Sequence, residues 1–270
     1  MSRSTNSRMT MPFEAEQTSA RWNPRTSDQH RRDEVTIWWA DLSETQERLG
    51  NQAHLLTNDE LRRAEWMMGQ TSRDRWITGR ASLRSILSGY LGLQALAVPI
   101  TYGALGKPEL AGLSPVRFNL SHSANLAAFA VAWRKPVGID IQRLRNDSTM
   151  TDMAEWTLSE DAYQQWLRLP EKERRVAFTR TWVRKEAYLK GRGLGLVYPM
   201  KDLEIFAPSS GGGIQIVDRH DERHGEDWRI FDLATPTPGF VAALAVRGEV
   251  SSLVARGWPD GSVRTAWRRS

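Results

Sequence analysis

The sequence predicts an α+β protein made of two similar halves, and three observations support this. Strand-like apolar runs such as 35–39 and 137–141 alternate along the chain with helix-like runs such as 72–90. The same three kinds of element recur in the same order in both halves. The offset between matching elements grows from 102 to 106 to 114 residues, as insertions in loops would produce. We therefore predict a pseudo-dimer of two α+β halves.

The matching elements are a capped helix start, a long helix and a strand. Residues 56–60 match 158–162, residues 76–84 match 182–190, and residues 126–133 match 240–247. The alternative is that elements of similar composition align by chance, but agreement in both order and type favours duplication. Two such halves would meet across a pseudo-twofold interface, where ligand clefts often form.

The chain divides into four predicted segments. Residues 1–32 are polar, basic and without period, so we predict a disordered tail. The N-terminal half spans 33–145 and the C-terminal half spans 146–250. The last segment, 251–270, contains a turn signal at 258–261 and is expected to be a loosely ordered basic tail.

Local signals predict the elements of the first half in order. A strand at 35–39 opens the folded part. Thr57 and Glu60 have the spacing of a capping box, which predicts a helix from there to about Met68. The predicted elements that follow are a helix over 72–90, paired strands within 118–133 and a strand around Asp140.

Composition and charge exclude several classes of protein. The chain has no cysteine, which excludes disulfides, zinc–thiolate sites and thiol nucleophiles and makes the cytoplasm the expected compartment. No apolar run approaches the ~18 residues of a membrane span. The net charge of +5 comes from segments 1–32 and 256–270, which carry +3 each, while residues 33–255 carry −1. We therefore expect no nucleic-acid partner.

Two acids lie on elements that could bring them together. Alternation along the strand puts Asp140 and Gln142 on one face. Glu186 lies on the helix of 182–190, one turn before Lys190. A strand acid and a helix acid with lysines beside them suit a hard divalent cation that holds a phosphate ester.

Four sequence blocks occur together in one order. They are Gly106-Lys107-Pro108, residues 118–123, residues 137–141, and Trp182 with Lys185, Glu186, Ala187 and Lys190. With these blocks the chain resembles the surfactin-type 4′-phosphopantetheinyl transferases, over about residues 55–205. These enzymes, which include the holo-[acyl-carrier-protein] synthases, move the phosphopantetheine arm of coenzyme A (CoA) onto a serine of a carrier protein. The resemblance also implies a pseudo-dimer with the active site between its halves.

The resemblance implies roles for individual residues. It implies Mg²⁺ on Asp140, Glu186 and Gln142, catalytic roles for Asp140, Glu186 and Lys190, and release of 3′,5′-ADP. The implied CoA contacts are Arg80, Arg84, Lys107, Ser121, His122, Lys185 and Lys190. From the sequence alone, Arg75, Arg80 and Arg84 could equally form a solvated helix face. The implied partner is an acidic apo carrier protein, and the implied state is a monomer.

Gln142 departs from the pattern of the family. Many members carry glutamate at this position, whereas a glutamine amide oxygen can bind Mg²⁺ or orient a water but cannot act as a base. The base role therefore falls on Glu186 or on a metal-bound hydroxide, and direct ligation by Gln142 stays open. The alternative function is a CoA-binding pseudoenzyme or regulatory module without turnover.

Overall fold

The computed structural model describes residues 33–43, 52–144, 149–195, 197–207, 213–221, 227–261 and, for the backbone, 263–268. Its elements in chain order are β1 (Glu34–Asp41), α1 (Asn58–Glu65), α2 (Gln70–Leu91), β2 (Ile100–Tyr102), β3 (Pro108–Leu110), β4 (Val116–Ser123), β5 (Leu126–Trp133), β6 (Val137–Arg143), α3 (Met150–Thr157), α4 (Glu160–Leu167), α5 (Glu171–Arg192), β7 (Leu203–Phe206), β8 (Gln215–Asp218), β9 (Trp228–Leu233), β10 (Phe240–Arg247), β11 (Ser252–Gly257) and β12 (Val263–Arg268). The predicted α+β class is confirmed. The predicted tail 1–32 lies outside the described residues.

The strands form two main sheets that each carry one long helix. The first sheet has the order β12-β11-β1-β5-β4 and the second has the order β6-β10-β9. The β1–β11 pair is parallel and the other pairs are antiparallel. Apolar side chains from one face of each sheet share a core, while α2 packs on the opposite face of the first sheet and α5 on that of the second. The relation of the two units by duplication stays a prediction.

The helix starts follow the predicted capping chemistry. The Thr57 hydroxyl accepts a hydrogen bond from the Glu60 amide, and the Glu60 carboxylate accepts one from the Thr57 amide. This confirms the capping box. The helix ends at Glu65 rather than at Met68, because Gly69 with φ +80° turns the chain into α2.

The C-terminal segment is the clearest error in the predicted organisation. Residues of 251–270 form two strands, β11 and β12, and β11 lies beside β1 in the first sheet. This pairing protects the β1 edge, and Leu253 joins the core between the sheets. In addition, β6 pairs with β10, so it belongs to the second sheet although the predicted boundary placed it in the first half.

Helix α5 lies against β6 at a distance that only glycine permits. A Cβ atom on Gly138 would fall inside van der Waals contact with the carbonyl oxygen of Ala187 and the amide of Gly191, and 2.8 Å from the Gly191 Cα atom. A Cβ atom on Gly191 would lie 2.6 Å from the Trp228 ring. The backbones of β6 and α5 therefore touch two residues before Asp140 on the strand and one residue after Lys190 on the helix.

Within the described residues, no helix is both long enough and apolar enough to span a lipid bilayer.

Candidate active site

The edge of β6 is held against β4 by side chains rather than by a main-chain ladder. Side-chain oxygens at alternate positions of β4 accept hydrogen bonds from β6 amides. The pairs are Asn119 with Ile139 (2.9 Å), Ser121 with Ile141 (3.4 Å) and Ser123 with Arg143 (3.0 Å). Because side chains at alternate positions of a strand share one face, these three point together at β6. Asp140 lies at this junction of the two sheets, between the bonded amides of Ile139 and Ile141.

Asp140 is buried beside one hydroxyl and one ammonium group. Its side chain is 1% exposed, and its Oδ1 atom accepts hydrogen bonds from Ser121 Oγ at 2.7 Å and from Lys190 Nζ at 2.5 Å. Lys190 Nζ also donates to Ser121 Oγ at 3.1 Å. In the described part of the chain, Asp140 Oδ2 has no hydrogen-bond partner. The structure therefore brings Asp140, Ser121 and Lys190 together, and their implied roles toward Mg²⁺ and CoA stay predictions.

Glu186 is the second buried acid of this site. It is 7% exposed, and its Oε1 atom has no hydrogen-bond partner among the described residues. Burial raises the pKa of its carboxyl group to about 7; the Lys190 charge lowers the pKa and the Asp140 charge raises it. Because the Asp140 charge acts on Glu186, the two carboxyl groups lie close enough to interact electrostatically.

The two acids fit a hard divalent cation. A buried carboxylate oxygen without a partner is costly, and here two such oxygens share one site. Gln142 lies on the same strand face as Asp140, and its Oε1 atom accepts a 3.4 Å hydrogen bond from Ser123. The described residues contain no cluster of three His, Cys, Asp or Glu side chains suited to a metal. Two carboxylates suit Mg²⁺, which usually keeps several waters.

His122 lies at the end of β4, where the positive charges of Arg75 and Lys190 act on it. Partial burial lowers the pKa of His122, the charges of Lys190 and Arg75 lower it further, and the Asp140 charge raises it. Arg75 is half-buried, and its Nε atom has no partner in the described residues. Arg75 was not among the predicted CoA contacts; its place on the same helix as Arg80 was the signal for it.

Arg80 has a donor that no group in the described part of the chain uses. One of its guanidinium nitrogens donates to the Tyr102 hydroxyl at 2.6 Å, and its Nε atom lies 3.5 Å from Glu60 Oε1. Its NH1 atom is buried and, among the described residues, has no acceptor. An anionic ligand would satisfy that donor, so a CoA contact at Arg80 stays a prediction.

Arg84 is buried and bound by protein groups, and its CoA contact stays a prediction. Arg84 is 3% exposed, and its Nε atom donates to Glu60 Oε2 at 2.6 Å. Its NH1 atom donates to the carbonyl oxygens of Ala95, Leu96 and Val98. The anion that the Arg80–Arg84 pair requires is therefore the capping-box acid Glu60, and Arg84 fastens α1 and the 95–98 turn to α2.

Lys185 is likewise buried and bound by protein groups, and its CoA contact stays a prediction. Lys185 is 2% exposed, and its ammonium donates to the carbonyl oxygens of Thr157 (2.7 Å) and Met200 (2.8 Å). Burial lowers its pKa to about 8, and Glu204 opposes this effect. Lys185 points to the side of α5 away from Asp140 and connects the helix to the ends of two neighbouring elements.

Lys107 has partners that the sequence did not predict. Its ammonium donates to the carbonyl oxygens of Lys190 at 2.7 Å and Gly191 at 3.4 Å. Burial lowers its pKa, and Glu109 opposes this effect. In this arrangement the ammonium binds the end of α5 rather than facing a phosphate site.

Substitutions at Arg84 and Arg80 should separate a structural arginine from a ligand-binding one. We expect Arg84→Met to lower the free energy of unfolding by about 3 kcal/mol, because it leaves Glu60 buried without its main cation. We expect Arg80→Met to change stability less and to weaken CoA binding about tenfold, the effect of about 1.4 kcal/mol. Urea unfolding and calorimetric CoA titration measure these effects. Normal stability with lost CoA affinity in Arg84→Met would contradict the assignment.

Comparisons with known proteins agree on one family. The model of the 4′-phosphopantetheinyl transferase superfamily matches residues 136–245. The chain is 36% identical over 220 residues to the 4′-phosphopantetheinyl transferase HetI of Nostoc sp. The aligned region covers 80% of this chain and 89% of HetI. It is 34% identical over 122 residues to the 4′-phosphopantetheinyl transferase AcpT of Escherichia coli, covering 45% of this chain and 58% of that protein.

A similar solved structure is the holo-[acyl-carrier-protein] synthase of Thermotoga maritima. It aligns with a TM-score of 0.34 and 22% identity, and it covers 44% of this chain and 66% of that one. The family assignment comes from the sequence match to HetI, which extends over most of both chains. The chain belongs to the 4′-phosphopantetheinyl transferase superfamily.

Proposed function

We propose that this protein transfers the 4′-phosphopantetheine arm of CoA to a serine of an apo acyl or peptidyl carrier protein, with Mg²⁺, and releases 3′,5′-ADP. The observation that carries the proposal is a pair of buried carboxylate oxygens, on Asp140 and Glu186 near the Lys190 ammonium, that have no partner among the described residues. Membership of the family supplies the reaction class, and HetI and AcpT are named for this transfer.

The cations around the two acids would bind the phosphates of CoA. Lys190 is partly exposed, Arg75 and Arg80 each have a buried nitrogen without a partner in the described residues, and His122 lies near Lys190. A phosphate close to His122 would offset the positive charges that lower its pKa and would favour its protonated form. Phosphate charge would therefore be distributed over several donors from both sides of the sheet junction.

The transfer is a displacement at the β-phosphorus of CoA. The serine oxygen of the carrier forms a bond to that phosphorus while the bond to the bridging oxygen breaks, and 3′,5′-ADP leaves with the electron pair. Glu186 takes the serine proton, since its carboxylate has an oxygen that no group of the described residues occupies. Lys190 stabilises the negative charge that develops on the leaving group.

Asp140 and Glu186 would hold Mg²⁺, with the Gln142 amide as a third candidate ligand. When bound, the ion supplies Lewis-acid polarisation of the pyrophosphate. Ser121 orients Asp140 and Lys190, because its hydroxyl donates to the Asp140 carboxylate and accepts from the Lys190 ammonium.

The carrier and the state of the protein complete the proposal. An acidic carrier surface would complement the basic groups near the site, as electrostatic steering requires. One chain contains both units that flank the site, so a monomer is sufficient for activity. A second candidate function, CoA binding without turnover, is favoured by Gln142, since it replaces a third acid with a group that cannot accept a proton at neutral pH.

Product release tests the proposal against this alternative. The protein is incubated with CoA and a panel of apo carriers, with Mg²⁺ or with EDTA, and 3′,5′-ADP is quantified by chromatography. We expect 3′,5′-ADP to form only when both metal and an apo carrier are present. CoA binding by calorimetry without any 3′,5′-ADP would favour the alternative.

A further inference from the structure

The β2–β3 hairpin reaches from the first sheet's unit to the end of α5. Its tip is closed by hydrogen bonds from the Gly103 amide to the Lys107 carbonyl at 2.8 Å and from the Gly106 amide to the Gly103 carbonyl at 2.9 Å. Gly106 has φ +76°, a value that suits glycine. This tight turn holds Lys107 in a fixed direction, toward the C-terminal turn of α5.

Two independent contacts join the hairpin tip to the end of α5. The first is the pair of hydrogen bonds from Lys107 Nζ to the carbonyls of Lys190 and Gly191. The second is the approach of the Leu105 side chain to Gly195, just after the helix, where an added Cβ atom would lie 3.3 Å from that side chain. Both contacts join residues more than 80 positions apart in the chain, so they are part of the tertiary structure.

The carbonyls that Lys107 binds are among those that a helix leaves unpaired. Helix α5 ends in a Schellman motif, in which the Leu194 amide donates to the Leu189 carbonyl and the Gly193 amide to the Lys190 carbonyl. Lys107 supplies a second donor to the Lys190 carbonyl and a donor to Gly191. A cation at this end of the helix also complements the helix dipole.

Both the backbone and the side chain of Lys190 are therefore held by hydrogen bonds. Its backbone carbonyl accepts from Lys107, and its ammonium binds Asp140 Oδ1 at 2.5 Å and Ser121 Oγ at 3.1 Å. The next residue, Gly191, lies against Gly138 of β6. The hairpin and β6 therefore both contact the last turn of α5. The hairpin contact is made to the backbone of Lys190, whose side chain binds Asp140.

We propose that Lys107 is a positioning residue, which fixes the last turn of α5 so that the Lys190 ammonium stays aligned with Asp140. The inference rests on the proposed function for its catalytic consequence. It differs from the role that the family resemblance implied, a contact of Lys107 with the 3′-phosphate of CoA. The two roles predict different effects of one substitution.

Lys107→Met removes both hydrogen bonds and keeps most of the side-chain volume. If Lys107 positions Lys190, kcat should fall while the Kd for 3′,5′-ADP, which carries the 3′-phosphate, stays at the wild-type value. A misplacement of about 1 Å at a reacting group can cost on the order of 100-fold, so we expect kcat to fall about tenfold or more. If Lys107 binds the 3′-phosphate, the Kd for 3′,5′-ADP should rise instead.

Hydrogen exchange supplies a readout that does not depend on activity. In Lys107→Met we expect faster exchange of the Gly193 and Leu194 amides and unchanged exchange in β1 and α2. Lys107→Arg retains donors for the carbonyls and should restore slow exchange and most of kcat. Leu105→Ala, which removes only the approach of the Leu105 side chain to Gly195, should produce a smaller change in the same direction. Lys172→Met, at the exposed start of α5, is the matched control and should have no effect.

The outcomes are separable. Unchanged exchange at 193–194 in Lys107→Met, or a raised Kd for 3′,5′-ADP with normal kcat, would overturn the inference. If the wild-type protein forms no 3′,5′-ADP with any carrier, the proposed function fails, and the exchange data still decide whether Lys107 anchors α5.

Discussion

Replacement of Gly138 by alanine is expected to destabilise the protein by about 3 kcal/mol or more, at the upper end of what overpacking costs. The added methyl group would collide with the carbonyl oxygen of Ala187 and with the backbone of Gly191. These are main-chain atoms inside a helix, so no rotamer change relieves the clash. The helix would have to move away from β6, which would also separate Lys190 from Asp140.

Urea unfolding followed by circular dichroism measures this effect, and Gly79→Ala is the matched control. Gly79 lies within α2, where the nearest atom to an added Cβ is Leu42 Cδ2 at an ordinary 3.7 Å. Alanine there should stabilise the protein by about 0.5–1 kcal/mol, because it favours the helix and reduces the entropy of the unfolded chain. A Gly138→Ala variant with the unfolding midpoint of the wild type would contradict the described contact between β6 and α5.

The substitutions Asp140→Asn and Glu186→Gln should each reduce transfer by on the order of 1,000-fold, which corresponds to about 4 kcal/mol of transition-state stabilisation. Both changes keep the size of the side chain and remove the negative charge that would hold the cation. Glu186→Gln also removes the proposed proton acceptor. Initial rates of 3′,5′-ADP formation measure the loss.

Stability serves as the internal control for these two variants. Glu186 is buried, has a raised pKa and has one oxygen without a partner among the described residues. Glu186→Gln should therefore keep or increase the stability of the metal-free protein while activity disappears. Glu171→Gln, on the exposed first turn of the same helix, should leave both properties unchanged. Transfer at the wild-type rate by Glu186→Gln would exclude this residue as base and as metal ligand.

The features that sequence predicted best are those with local causes. The capping box at Thr57 and Glu60 depends on a spacing of three residues, and it is present. The burial of Asp140 follows from the apolar residues that flank it on one strand. The proximity of Asp140 to Lys190 is a long-range fact, and it came from the ordered motifs of a family rather than from any periodicity.

The contacts that the sequence did not predict are those of cations whose partners are distant in the chain. Arg84 finds Glu60 and three carbonyls of the 95–98 turn, and Lys185 finds the carbonyls of Thr157 and Met200. Nothing in the sequence shows which backbone carbonyls will lack a partner after folding. A lysine beside a metal acid therefore looks the same whether it faces a phosphate or the interior.

The C-terminal strands were missed for a related reason. The segment around Ser252–Gly257 is short, and its strand character depends on pairing with β1, more than 200 residues earlier. A strand that completes the edge of an existing sheet needs little apolar periodicity of its own. The turn signal and the arginines of 256–270 were local and suggested a tail.

The central claim is that Asp140, Glu186 and Lys190 form the site of phosphopantetheine transfer, and the intact mass of the carrier tests it most directly. An apo carrier is incubated with CoA, Mg²⁺ and either the wild-type protein or Asp140→Asn, and the modified residue is then mapped by peptide mass spectrometry. The account predicts a phosphopantetheine adduct on one serine with the wild type alone. An equal amount of adduct with Asp140→Asn would contradict it.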